Sequence, residues 1–164
     1  MDPARLLALW RRLSALPGGA RLFSWLLGRA VPYSGSIRAR VEELEPGRVR
    51  VRLADRRALR QHLGSVHAVA LVNLGELATG LAMLTAIPPH LRGIVVRLEA
   101  EYRAKARGVL IAESSAAPPA EAQQATDSEH WVETEIRDAS DTVVAVVRAL
   151  WRIGPRKRPA EARS

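Results

Sequence analysis

Between Val66 and Ala86 the chain carries one side chain that is formally charged at neutral pH, Glu76, in a run that is otherwise largely apolar and rich in alanine. A lone carboxylate among apolar neighbours is costly to ionise unless it is paired, hydrogen-bonded or protonated. Enzymes use such groups as general bases or nucleophiles. The plainer alternative is that Glu76 reaches the surface or pairs with an arginine of a neighbouring element. Asn73 precedes it by three residues and Thr79 follows by three, so on a helix the three share one polar stripe. Upstream runs Gln61-His62-Leu63-Gly64-Ser65-Val66-His67-Ala68. Gly64 permits a tight bend there. The first turn of the helix that follows offers unpaired N–H groups and the positive end of its dipole, a corner suited to a carbonyl oxygen that is becoming an oxyanion. His67 sits at that corner. A histidine at a helix start is by itself more often structural than catalytic.

The spacing constrains the oligomer. His67 and Glu76 are nine residues apart, roughly 13 Å along a helix axis and about half a turn apart in direction. Two such side chains of one chain cannot grip one small group. A joint role therefore requires at least a homodimer, and whether two dimers pair into a tetramer is left open.

The elements that position these residues follow from changes of period. Ala4 to Leu16, with Leu6, Leu7, Leu9, Trp10 and Leu13, reads as an amphipathic helix broken by Pro17-Gly18-Gly19. A second helical piece carries Leu22, Phe23, Trp25, Leu26 and Leu27. From Ser36 the period becomes two: Ile37, Ala39 and Val41, then a Pro46-Gly47 turn, then Val49, Val51 and Leu53, which predicts a hairpin. Val66–Ala86 is long enough to span a membrane, but His67, Asn73, Glu76 and the flanking strand patterns favour a buried central helix ended by Pro88-Pro89. Strands are predicted where Val96, Leu98, Ala100, Tyr102 and Ala104 alternate with charge, and over 109–115, 130–138 and 142–153. The order β-β-α-β-β-β-β leaves one helix to cover the apolar face of an antiparallel sheet, an α+β arrangement in which a curled sheet wraps a single helix. Residues 1–30 are read as a helical extension, 31–153 as the domain, and 154–164 as a disordered basic tail.

Gln61–Leu81 resembles the active-site segment of hotdog-fold acyl-CoA thioesterases of the phenylacetate-degradation type. Their pattern is Asn, two residues, Gly, two residues, His-Gly-Gly, then an acid nine residues after the His. Gln61, Gly64, His67, Ala68 and Glu76 stand at those positions, with Gln61 in place of Asn and Ala68-Val69 in place of Gly-Gly. Ala104-Lys105-Ala106-Arg107-Gly108 also looks like the family's strand-ending turn. The likeness is greatest to a hotdog subfamily of largely uncharacterised function, here with an added helical N-terminus. It implies a hotdog fold, a two-fold dimer, a cytoplasmic location, and hydrolysis of a thioester. Glu76 would act as base or nucleophile, the Ala68 N–H as oxyanion donor, and His67 and Gln61 would position the thioester. Asn73 and Thr79 would line the substrate site, and Arg103, Lys105 and Arg107, at a strand end, would either meet coenzyme A phosphates or form a solvated strand face. Coenzyme A is then part of the substrate, and no cofactor or metal is required.

Composition and charge narrow the alternatives. The chain has 164 residues, 48% hydrophobic and 26% charged, the mix of one folded domain. Cysteine is absent, which excludes disulfide frameworks and thiolate chemistry, and the four histidines show no metal-ligand spacing. The net charge of +8 sits at the two ends, and residues 31–151 are neutral. A nucleic-acid-binding domain more often carries its excess on the folded body, so no nucleic-acid partner is expected. The N-terminal helices read as a flap packed on the domain. The competing reading is a basic amphipathic anchor that makes the protein peripheral on an anionic membrane. A non-catalytic acyl-CoA or lipid-binding module on the same fold is the alternative to hydrolysis. A hotdog dehydratase is disfavoured, since the proline-rich histidine segment of such enzymes is missing.

Overall fold

The computed structural model describes residues 2–121 and 124–156. Three helices open the chain: α1 (Pro3–Ser14), α2 (Gly19–Ala30) and the single turn α3 (Pro32–Gly35). The hairpin β1 (Arg40–Glu45) and β2 (Arg48–Ala54) follows, then the long helix α4 (Ala68–Ala86). The strands β3 (Leu91–Tyr102), β4 (Val109–Ser115), β5 (Ser128–Arg137) and β6 (Val143–Pro155) complete it. All six strands form one antiparallel sheet in the order β1-β2-β4-β5-β6-β3. Helix α4 packs against every strand of that sheet, the hotdog architecture that the resemblance implies.

Helix α4 is buried because its sequence leaves it no amphipathic choice: Leu71, Leu74, Ala78, Leu81, Ala82 and Met83 point in several directions and all are covered. Gly75 makes the close approach possible. A Cβ there would fall 2.4–2.8 Å from the side-chain carbons of Val147 on β6. The far end of the helix is tied down by Thr85, whose hydroxyl accepts the Gly47 N–H of the β1–β2 turn at 3.0 Å and donates within its own helix.

The first strand differs from its prediction. The alternation from Ser36 suggests an extended run, but residues 32–35 form a helical turn, Arg38 adopts φ +52°, and pairing begins only at Arg40. Ile37 and Val41 both reach the core, though across a bend rather than along one strand. A bulge between Val41 and Glu43 then turns Leu44 inward. The helix begins at Ala68, two residues later than predicted, because His67 is its cap. At the other end β6 runs to Pro155, and the predicted tail from residue 157 onward lies outside the described residues.

The N-terminal helices have a packed inner face. Leu6, Trp10, Phe23 and Leu27 are buried in the same cluster as Val41, Leu44 and Leu71. Trp10 meets Phe23 edge to face at 5.0 Å. Ser24 Oγ accepts the Val41 N–H at 2.9 Å, joining α2 to the edge strand β1.

The Gly75–Val147 contact is testable. Gly75→Ala should destabilise the fold by roughly 1–3 kcal/mol through overpacking. Adding Val147→Ala should recover part of that loss, read from urea midpoints of the two single variants and the double.

Candidate active site

The corner before α4 is built by short-range hydrogen bonds. Gly64, at φ +72°, closes a tight turn in which its N–H donates to Gln61 O at 3.0 Å and the Gln61 N–H to Ser65 O at 2.9 Å. The Gln61 carboxamide serves the same loop: its Nε2 donates to Ser65 Oγ at 2.9 Å and its Oε1 accepts the Leu63 N–H at 3.2 Å. Val66 N–H donates to Ala106 O at 2.9 Å and His67 N–H to Leu59 O at 2.7 Å, which fastens the loop to its neighbours.

His67 is exposed, and its Nδ1 accepts the Val69 N–H at 3.1 Å as the cap of the helix. That cap leaves the Ala68 N–H with no acceptor among the described residues. The carbonyl of the same residue is held by Tyr102 Oη at 3.3 Å. By alternation alone Tyr102 is one more apolar position of a strand. Its hydroxyl makes it a fixture of this corner, a role that the alternation pattern could not signal.

The corner is electropositive. The turn after β3 lies beside it, through the Val66–Ala106 bond, and brings Lys105 and Arg107 there, both exposed. Asp55 ties the two loops together, accepting from Arg60 Nε at 2.7 Å and from the Gly108 N–H at 3.0 Å. The hydrogen bond from Arg60 is the largest reason its carboxyl titrates below the ordinary aspartate value. Arg103, expected to join Lys105 and Arg107 at a phosphate, pairs with Glu101 at 3.1 Å.

Glu76 is half-buried, and among the described residues no cation lies within salt-bridge reach of it. The pairing with a sheet arginine that the sequence left open is not made among the described residues. Burial alone pushes its carboxyl above the ordinary glutamate value. Gly80 keeps room beside it: a Cβ at that position would lie 3.9 Å from Glu76 Oε1 and 3.5 Å from the Trp151 ring. The Trp151 Nε1–H is buried without a partner among the described residues.

The polar stripe of the sequence divides among three environments. Asn73 Nδ2 donates to the Tyr33 carbonyl at 3.1 Å, holding α3 against α4, while its Oδ1 is buried without a partner among the described residues. The Thr79 side chain is fully buried, and its hydroxyl donates to the Glu76 carbonyl at 3.0 Å. Glu76 instead lines up with Val69, 53% exposed, and with half-buried Val72, at i, i+3 and i+7. This is the thinly covered side of α4. Opposite it lies β3, last in the sheet, whose Leu98, Ala100 and Tyr102 share a face with the inward residues of β6 yet stay exposed. Glu76 and the Ala68 N–H of one chain are separated by about two turns of helix, so the described chain holds the two halves of the expected site apart.

Comparison with known proteins extends this picture. No curated protein matches the chain. A structural-genomics protein, APC5556, superposes with a TM-score of 0.77 at 29% identity, over 94% of this chain and 99% of that one. PA5026 of Pseudomonas aeruginosa, a protein of unknown function named as a probable thioesterase, superposes with a TM-score of 0.73 at 27% identity, over 86% and 97%. A hypothetical thioesterase of Streptococcus pneumoniae, solved with coenzyme A, shares the fold at a TM-score of 0.63 and 14% identity, over 80% and 99%. The family described as a domain of unknown function, DUF4442, matches residues 19–153. From α2 to the end of β6, with its single helix wrapped by a six-stranded sheet, the chain belongs to the DUF4442 family of hotdog-fold proteins.

Proposed function

We propose that this protein hydrolyses an acyl-CoA or related thioester as a homodimer, with Glu76 of one protomer facing the Gly64–Ala68 corner of the other. The observation that carries this reading is the state of Glu76. It is a carboxylate raised in basicity by burial, unpaired among the described residues, on the thinly covered side of α4 opposite a bare strand. A second copy pairing β3 to β3 would extend the sheet and cover Val69, Leu98 and Tyr102. It would also set the two helices side by side. The names of PA5026 and the Streptococcus protein, and the coenzyme A bound to the latter, support the substrate class.

In the proposed reaction the thioester carbonyl oxygen accepts the Ala68 N–H at the positive end of α4. Glu76 of the other protomer takes a proton from water as the water oxygen attacks the carbonyl carbon. The tetrahedral intermediate collapses by breaking the C–S bond, and the departing thiolate takes the proton from Glu76, which regenerates the carboxylate of the enzyme and gives a free thiol and the acid, which then ionises in water. A carboxyl held above its ordinary value is a better base at neutral pH than an exposed one, which favours water activation over direct attack by Glu76. Lys105 and Arg107 would meet the phosphates of the carrier. The phenylacetate-degradation type, with an aromatic acyl group, is the finer form of the proposal. One observation favours a binding protein instead: both ends of the Gln61 carboxamide are used within its own loop. A panel of aromatic and fatty acyl-CoA substrates separates these outcomes, because a binding protein retains the thioester intact.

Glu76→Gln should lower hydrolysis on the order of 10²-fold or more, read as kcat with the best thioester of the panel. The same variant should melt at an equal or higher temperature near pH 8. The sign follows from burial: a carboxyl whose folded value is raised stabilises the fold below its ordinary value and loses that contribution as pH rises through the raised one. The advantage of Gln should therefore shrink as the pH falls from above the raised value to the ordinary carboxylate range, and be lost below it, measured by melting curves across pH. A second test concerns the dimer. Leu98 is 42% exposed on β3, so Leu98→Arg should leave the monomer folded while converting the dimer to monomer in sedimentation and abolishing hydrolysis with it. Full activity in a monomer would refute the two-chain site.

A further inference from the structure

The outer face of the N-terminal layer joins unpaired arginines to exposed apolar side chains. From Pro3 to Val41 the chain has seven arginines and no aspartate or glutamate. On the sheet, by contrast, most arginines face a carboxylate, Arg50 with Glu42 and Glu113, Arg137 with Glu135, Arg148 with Glu133 and Arg152 with Glu129, while Arg48 and Arg92 have none within salt-bridge reach among the described residues. Among the described residues Arg21, Arg29, Arg38 and Arg40 have no carboxylate partner, and the buried Nε of Arg40 has no hydrogen-bond partner at all. These four arginines and Trp25 line a cavity of about 830 Å³ between α2, α3 and the start of β1. The lining is cationic, with no carboxylate among its residues.

Beside this cavity runs an apolar stripe. Trp25 is 58% exposed and Leu22 47%, and with Leu26 they stand at i, i+3 and i+4, Trp25 on the side of α2 turned away from Phe23 and Leu27 and Leu26 at the rim of the groove that those two line. Leu9 of α1 joins Leu26 across the groove between the two helices. Arg29 lies over the Trp25 ring at 5.6 Å, so the aromatic and the cation occupy the same spot. A tryptophan and leucines level with unpaired arginines match the boundary between acyl chains and anionic headgroups in a bilayer. The inner faces of both helices are already satisfied by the core, so the stripe is free to meet a surface without unfolding the layer. The layer packs on β1, at the opposite end of the sheet from β3, and contact there leaves the proposed dimer edge open.

We infer that the outer face of α1, α2 and the α3–β1 turn docks on an anionic phospholipid bilayer, with Trp25, Leu22 and Leu26 entering the headgroup boundary and a lipid phosphate held by the arginine-lined cavity. The flap and the anchor are then two faces of one element: the inner face packs on the domain and the outer face binds lipid.

The test is co-sedimentation of the full chain with vesicles of phosphatidylcholine alone or mixed with an equal part of phosphatidylglycerol. Retention should require the anionic lipid and fall as salt screens it. Trp25→Ala/Leu22→Ser and Arg21→Gln/Arg29→Gln change only exposed side chains and should each lower retention on the order of tenfold, at an unchanged melting temperature. Quenching of tryptophan fluorescence by brominated lipid should disappear in Trp25→Phe. Glu76→Gln should bind vesicles like the unsubstituted protein, which separates this inference from that of thioester hydrolysis. The inference is overturned by equal retention on neutral vesicles, by retention that survives both double variants, or by binding to duplex DNA that depends on the arginines and not on Trp25 and Leu22.

Discussion

Helix α4 can be buried only if the sheet comes close enough to touch its backbone, and Gly75 against Val147 is where that happens. With the helix seated there, the sheet must curl to reach Leu71 and Leu74 on one side and Met83 and Ile87 on the other. The side left thinly covered is the line of Val69, Val72 and Glu76. Everything that bears on function follows from that incomplete coverage. The carboxylate is dry enough to titrate high, yet it is not sealed into the core.

The two ends of the sheet are finished differently. At β1 the N-terminal helices cover the edge and add Trp10, Phe23 and Leu27 to the core. At β3 no described element covers the last strand, and the inner-face residues Leu98 and Tyr102 remain in solvent. A strand of twelve residues with apolar side chains and open backbone groups is a natural template for pairing. The protein thus has one closed and one open end, and the proposed chemistry belongs to the open one.

Charge follows the same division. Over the sheet, arginines and carboxylates face one another across strands, a cross-strand ladder that leaves that surface nearly neutral. The corner before α4 keeps an excess of cations because Asp55 is the carboxylate that joins its loops and Arg60 already occupies it. The N-terminal layer keeps a larger excess because it contains no acid beyond Asp2.

The helix, its length, its isolated glutamate and the order of the strands were all legible in the residues, because apolar periodicity is a local property and α4 offers no polar face to misread. The corner was legible too, since Gly64 and a histidine at a helix start are local signals. Local pattern failed at Ile37–Val41, where a left-handed Arg38 and a bulge carry the same apolar residues to the core by another route. The stripe of Asn73, Glu76 and Thr79 was a correct statement about angle on a helix. Which of the three meets solvent depends on what packs against each, and that was settled by α3 at Asn73, by the sheet at Thr79 and by a bare strand at Glu76. The absence of a partner for Glu76 among the described residues and the role of Tyr102 at Ala68 likewise depend on residues distant in the chain, which the tertiary structure alone could decide.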